Sequence, residues 1–160
     1  MSVHIEINLT TQQLTLLDDK QVLREYSISS AINGNGEQIN SGCTPRGMHK
    51  IRIKIGHDCQ VNTIFKARRP TGEIYSPELD LQFPERDWIL SRIIWLTGTQ
   101  SGVNRSGKVD TLKRFIYIHG CPDVFPMGEP LSHGCIRMKN DDIMELFDLV
   151  HNQMPVFIHE

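Results

Sequence analysis

The chain has 160 residues, one ordinary domain's worth of sequence and enough to bury a core of its own. With 17 Lys and Arg against 19 Asp and Glu and a formal net charge of −2, it gives no electrostatic case for nucleic acid or an anionic membrane surface as partner. The one basic cluster, Lys66, Arg68 and Arg69, reads as a solvated loop.

No run of ~18 apolar residues is present that could span a bilayer. The opening residues carry Glu6, Asp18, Asp19 and Arg24 where an export signal needs an apolar stretch of ~7–15 residues. The expected compartment is therefore the cytoplasm, with the periplasm as the alternative for a chain whose leader had been removed. In a reducing compartment, Cys43, Cys59, Cys121 and Cys135 argue for catalytic or metal-binding thiols rather than a disulfide framework.

Val3, Ile5, Ile7 and Leu9 alternate with polar residues, the period of a half-buried strand, and Leu14 and Leu16 continue it after a polar turn. Leu17-Asp18-Asp19-Lys20 reads as a hairpin turn into a strand with Val22, Tyr26 and Ile28. Residues 31–47, rich in Asn, Gly, Ser and Pro, form a long loop. Ile51, Ile53 and Ile55 make a strand with one wet face, and short strands are expected around Ile64 and Ile74. Trp88 to Leu96, nearly continuous apolar residues, reads as a strand buried on both faces.

After a polar loop from Gly98 to Asp110, Phe115-Ile116-Tyr117-Ile118 is a β-rich run that delivers His119 at its end. Asn140, Asp141 and Asp142 mark a helix start, and Ile143, Leu146, Phe147 and Val150 fall on one face of that helix. Met154, Val156 and Ile158 close the chain as a strand. The fold class is mainly β, a sandwich or open barrel with one amphipathic helix near the C-terminus, in a single domain over residues 1–160.

His-Gly-Cys occurs twice, at residues 119–121 and 133–135. Zinc has four ligands of suitable type in His119, Cys121, His133 and Cys135, yet paired structural ligands normally stand two to four residues apart, not one. Redox cycling between Cys121 and Cys135 lacks the Cys-x-x-Cys spacing. A nucleophilic thiolate explains more: Ser132-His133-Gly134-Cys135 is a turn with backbone amides open to an oxyanion, and His119 is a candidate base to lower the thiol pKa. The positive end of the following helix is expected to help. Cys43 and Cys59 read as small hydrophobes. This reading needs no cofactor and no metal.

Ile118-His119-Gly120, followed by Ser132-His133-Gly134-Cys135-Ile136-Arg137-Met138, resembles the signature of the L,D-transpeptidase catalytic domain, the YkuD-like family. The opening hairpin, Thr44-Pro45-x-Gly47, Arg92-x-x-Trp95-Leu96 and the helix after Asn140 resemble it too. The resemblance implies a β-sandwich and a cysteine acyltransferase acting on peptidoglycan stem peptides, with Cys135 as nucleophile and His119 as general base. It also implies that the amides of the His133-Gly134-Cys135 turn hold the oxyanion, that Arg137 supports substrate or nucleophile, and that Ser132 fills a Ser/Thr position. Arg46 and Met48 depart from the family pattern, and Cys121 matches no assigned role. The expected activity is L,D-carboxypeptidase trimming of soluble tetrapeptide muropeptides during wall recycling. The alternatives are cross-linking or D-amino-acid exchange as a periplasmic L,D-transpeptidase, and a zinc-stabilised binding module.

Overall fold

A computed structural model describes residues 2–160. Three strands open the chain: β1 (Val3–Asn8), β2 (Gln13–Asp18) and β3 (Gln21–Ser29) form an antiparallel meander. The alternation read from the sequence decides which face goes inward, since Ile5, Ile7, Leu14, Leu16 and Ile28 are all buried. β4 (Gly47–Ile55) follows the long loop, then a small hairpin of β5 (Thr63–Lys66) and β6 (Arg69–Ile74), and a short helix α1 (Pro77–Gln82). β7 (Leu90–Gly98), β8 (Tyr117–Gly120), β9 (Ile136–Met138), helix α2 (Asn140–Leu149) and β10 (Pro155–His159) complete it.

The strands run in the order β4-β10-β1-β2-β3-β9-β8-β7, and β4 pairs with β7 as well as with β10. The expected mainly β sandwich or open barrel is present, and its strands join into a ring; at the β3–β9 seam only Ile28 and Ser29 pair, so the rest of β3 lacks a partner on that side. The β5–β6 hairpin hangs on β7 through Ile64 and Leu90. Inside the ring lies one continuous core, to which α2 adds Ile143, Leu146 and Phe147. Each such fully buried side chain contributes about 1.5–3 kcal/mol relative to exposure. Among the described residues no helix is long and apolar enough to cross a membrane.

β7 is buried on both faces because two clusters meet across it. Ile94 and Leu96 point into the main core, while Ile93 and Trp95 pack outward against Phe65 of β5 and Tyr117 of β8. The strand begins at Leu90 rather than at Trp88, whose indole N–H donates to Asp80 of α1 (3.1 Å).

Four expectations shift. α1 was not foreseen. Ile53 is 40% exposed, because a bulge between Ile51 and Ile53 breaks the alternation of β4. Phe115 is not in a strand: it sits at φ 58°, and β8 begins two residues later. Asn140 does not cap α2. Lys139 holds that position without a side-chain bond, and the Asn140 side chain is spent on a buried hub described below.

Candidate active site

β8 and β9 run parallel with Ile118 opposite Ile136, His119 opposite Arg137 and Gly120 opposite Met138. Side chains alternate along each strand. Ile118, Ile136 and Met138 therefore enter the core, while Tyr117, His119, Cys135 and Arg137 share the outer face. Of the predicted residues, β8 supplies His119 and β9 supplies Arg137, with Cys135 directly before it.

The Cys135 sulphur accepts from the Tyr117 backbone N–H (3.3 Å) and donates its proton to the Phe115 carbonyl (3.3 Å). The left-handed Phe115 backbone aims that carbonyl; such a φ is costly for an aromatic residue and is a mark of a constrained site. Burial pushes the Cys135 thiol up to about 12, against the opposing effects of the Tyr117 N–H, Arg137 and Arg114. The resting group is a neutral thiol, not the lowered thiolate expected from the sequence. Desolvation outweighs the nearby positive charges.

The expected helix dipole does not reach it. Cys135 directly precedes β9 and α2 follows its other end, ~13 Å away at the rise of an extended chain, whereas the dipole's effect fades within the first turn.

His119 is 1% exposed, and its Nδ1 lies 2.7 Å from the Gly120 carbonyl. A carbonyl only accepts, so the proton sits on Nδ1 and Nε2 keeps a free lone pair. Burial lowers the His119 pKa below its ordinary 6.5, with Asp87 pulling the other way. No direct bond joins His119 to Cys135; they are diagonal neighbours on one sheet face. Gly120 is required by space, because a Cβ there would lie 2.6 Å from the Leu90 carbonyl and 2.5 Å from Asn140 Oδ1.

Ser132 pins the turn that leads into Cys135. Its backbone N–H donates to Ser30 (2.8 Å) and its carbonyl accepts from Ile32 (2.9 Å). Its hydroxyl donates to the Cys135 carbonyl and accepts from the Gly134 N–H (3.3 Å). Thr44 adds a bond from its hydroxyl to the Gly134 carbonyl (2.9 Å). Gly134 stands at φ 131° with only ordinary contacts around a would-be Cβ, so backbone freedom and not room requires glycine there. Of the three amides expected at an oxyanion, that of Gly134 is occupied by Ser132. Those of His133 and Cys135 donate to no protein acceptor among the described residues.

Arg137 is 7% exposed; it donates to the Leu131 carbonyl (3.2 Å) and to Asp87 (3.4 Å). His133, well exposed, approaches the same Asp87 oxygen (3.5 Å). Asp87 was missed: nothing in Arg86-Asp87-Trp88 announces a partner 50 residues on. Also missed were Arg114, which is half-buried and donates to the carbonyls of Gly36 (3.2 Å) and Cys43 (2.6 Å), and Tyr117. A groove of about 480 Å³ lined by Gly42, Arg114, Phe115 and His133 opens beside the turn. The larger cavity, about 610 Å³ between α1 and Val124, lies elsewhere, and the chemistry argues for the smaller one.

Cys121 is fully buried, with its sulphur 3.5 Å from the Met138 carbonyl and its thiol pushed up to about 12 by burial. It flanks the far end of β9, so the oxidative pairing with Cys135 considered from the sequence fails on distance: ~13 Å against a disulfide reach of ~7 Å. The four candidate zinc ligands are therefore split between two ends of a strand pair. Among the described residues no three of His, Cys, Asp or Glu come together to hold a metal. Arg68 is not simply solvated, since its guanidinium lies over Phe115 (4.5 Å) and Trp95 (5.0 Å). Arg46 pairs with Glu37 and Glu160.

Compared with curated protein sequences, the chain has no significant match. Solved structures are similar in fold. An L,D-transpeptidase from Mycobacterium smegmatis superposes with TM-score 0.63 at 21% identity over 99% of this chain and 59% of that one. A cysteine-to-serine mutant of the Enterococcus faecium L,D-transpeptidase gives 0.60 at 18% over 99% and 50%. L,D-transpeptidase 3 from Mycobacterium tuberculosis, in complex with a faropenem-derived adduct, gives 0.60 at 17% over 99% and 60%. The chain thus spans half to three-fifths of these proteins' length. The family model of the L,D-transpeptidase catalytic domain (YkuD) matches residues 2–158, nearly the whole sequence around this thiol, and the chain belongs to that family.

Proposed function

We propose that the protein is a cysteine acyltransferase on peptidoglycan stem peptides. The observation that carries this is that Cys135 and His119 share the outer face of the β8–β9 pair, with His119 Nε2 free and the His133 and Cys135 amides without a protein acceptor among the described residues. As Cys135 attacks the carbonyl of the third stem residue, its proton passes to His119 Nε2. The Tyr117 N–H and the fields of Arg137 and Arg114 support the sulphur. The imidazolium is held by the Gly120 carbonyl and by the negative charge of Asp87. The His133 and Cys135 N–H groups receive the oxyanion. Collapse expels the terminal D-alanine, whose nitrogen takes the proton back from His119, and a thioester remains on Cys135.

Water then resolves the thioester, making the activity L,D-carboxypeptidase trimming of soluble muropeptides in the cytoplasm. The second reading, transfer to an amine in the periplasm, is favoured by the solved L,D-transpeptidases of similar fold.

Incubation with a disaccharide-tetrapeptide, with and without excess D-amino acid, separates them by mass spectrometry. Loss of one alanine marks hydrolysis; exchange or a dimer marks transfer. Cys135→Ala abolishes both, His119→Ala costs ~10²–10⁴-fold, and Cys121→Ala keeps most of the activity. An active Cys135→Ala with a dead Cys121→Ala would overturn the assignment, and a periplasmic protein on cell fractionation would contradict the recycling role.

A further inference from the structure

The β5–β6 hairpin turns on Ala67 and Arg68, both at positive φ (48° and 64°). A two-residue turn of this kind normally uses Asn or Gly, and left-handed backbone costs other residues ~1–2 kcal/mol each. The strain sets one side chain over the residues that flank the thiol. The Arg68 guanidinium covers the rings of Phe115 and Trp95, and its Nη1 donates to the Tyr117 hydroxyl (2.9 Å). Phe115 and Tyr117 are the two residues whose backbones hold the Cys135 sulphur.

The other arginines around the site are already engaged. Arg137 faces Asp87, and Arg114 is turned onto backbone carbonyls and Ser41. Arg68 has no carboxylate partner among the described residues. Stacking uses the faces of a guanidinium, and with Nη1 on Tyr117 the Nε–Nη2 edge makes no protein hydrogen bond among the described residues, the edge that takes a carboxylate in a two-pronged bond.

We propose that Arg68 is a specificity-determining residue that binds a carboxylate of the acyl donor next to the scissile amide. This rests on the acyltransferase reading above. Two carboxylates of a stem tetrapeptide have the required chemistry, the terminal one of the leaving D-alanine and the side-chain one of diaminopimelate.

The test pairs wild type, Arg68→Gln and Arg68→Lys with three peptides: the tetrapeptide acid, its C-terminal amide, and an analogue with lysine at the third position. Calorimetric binding is measured in a Cys135→Ala background and turnover in the active enzymes. Arg68→Gln is expected to lose about 10–100-fold on the acid, with the loss vanishing on whichever peptide lacks the recognised carboxylate. Arg68→Lys should recover part of it. If the variant loses the same factor on all three peptides, Arg68 only props the hairpin and the proposal falls. If wild type turns over no peptide yet the Cys135→Ala protein discriminates acid from amide through Arg68, the carboxylate site stands and the acyltransferase reading falls.

Discussion

Cys135 is held between one donor and one acceptor, and its chemistry follows from which of its two protonation states the surroundings favour. Burial favours the thiol, so the proton must leave during attack and not before it. Alkylation by iodoacetamide should therefore climb steadily from pH 7 to pH 10. A rate that levels off near pH 8 would show an ordinary or lowered thiol instead. That Cys135, His119, Ser132, Gly134 and Arg137 come together in one candidate site was legible because they crowd two short motifs. Asp87, Arg68 and Arg114 were not, since each reaches the site through folding of a segment that carries no signature. The thiol pKa was misjudged for the same reason: a residue string shows neighbouring charges but not how much water the fold excludes.

At the level of elements, alternation and helical period gave most of the strands and α2, since each buries one apolar face. They failed where backbone geometry overrides the pattern, at the β4 bulge and at left-handed Phe115. α2 illustrates a residue read for one job and used for another. The two N–H groups of Asn140 Nδ2 are shared among the Cys121 carbonyl (2.8 Å), Asn62 Oδ1 (3.0 Å) and Asp123 Oδ1 (3.0 Å), while its Oδ1 accepts from Ser91 (2.6 Å). It ties α2, β7 and the loop after β8 together behind His119. Replacing it with alanine strands buried polar groups at a cost of about 1–3 kcal/mol. Asn140→Ala should lower the melting temperature by roughly 5 °C, as read by calorimetry; an unchanged melting point would mean that the hub is not coupled to global stability.

For the whole molecule, closure of the ring was not legible, because β4 and β7 meet through pairings remote in sequence and no local pattern encodes them. His49 sits at that closure. It is buried, with Nδ1–H donating to the Gly47 carbonyl (3.0 Å) and Nε2 accepting from Thr111 (2.9 Å). Burial lowers its pKa from 6.5 to about 4. Between those values the unfolded chain binds the proton and the folded one does not. The stability His49 supplies is therefore complete above pH 6.5 and is lost as pH falls toward 4, by about 3 kcal/mol. Urea unfolding at pH 7 and pH 4.5 should show a smaller acid loss for His49→Gln than for wild type, and equal losses would contradict this role. The fold as a whole serves to present one thiol beside one imidazole, and the most direct test of that claim is to locate the acyl group. A disaccharide-tetrapeptide supplies the acyl group, and an acid quench during turnover traps the thioester before water or an amine resolves it. Intact-mass spectrometry followed by peptide mapping should find a single adduct on the peptide containing Cys135, absent in Cys135→Ala and slowed in His119→Ala. An adduct on Cys43, Cys59 or Cys121, with Cys135 unmodified, would contradict the account.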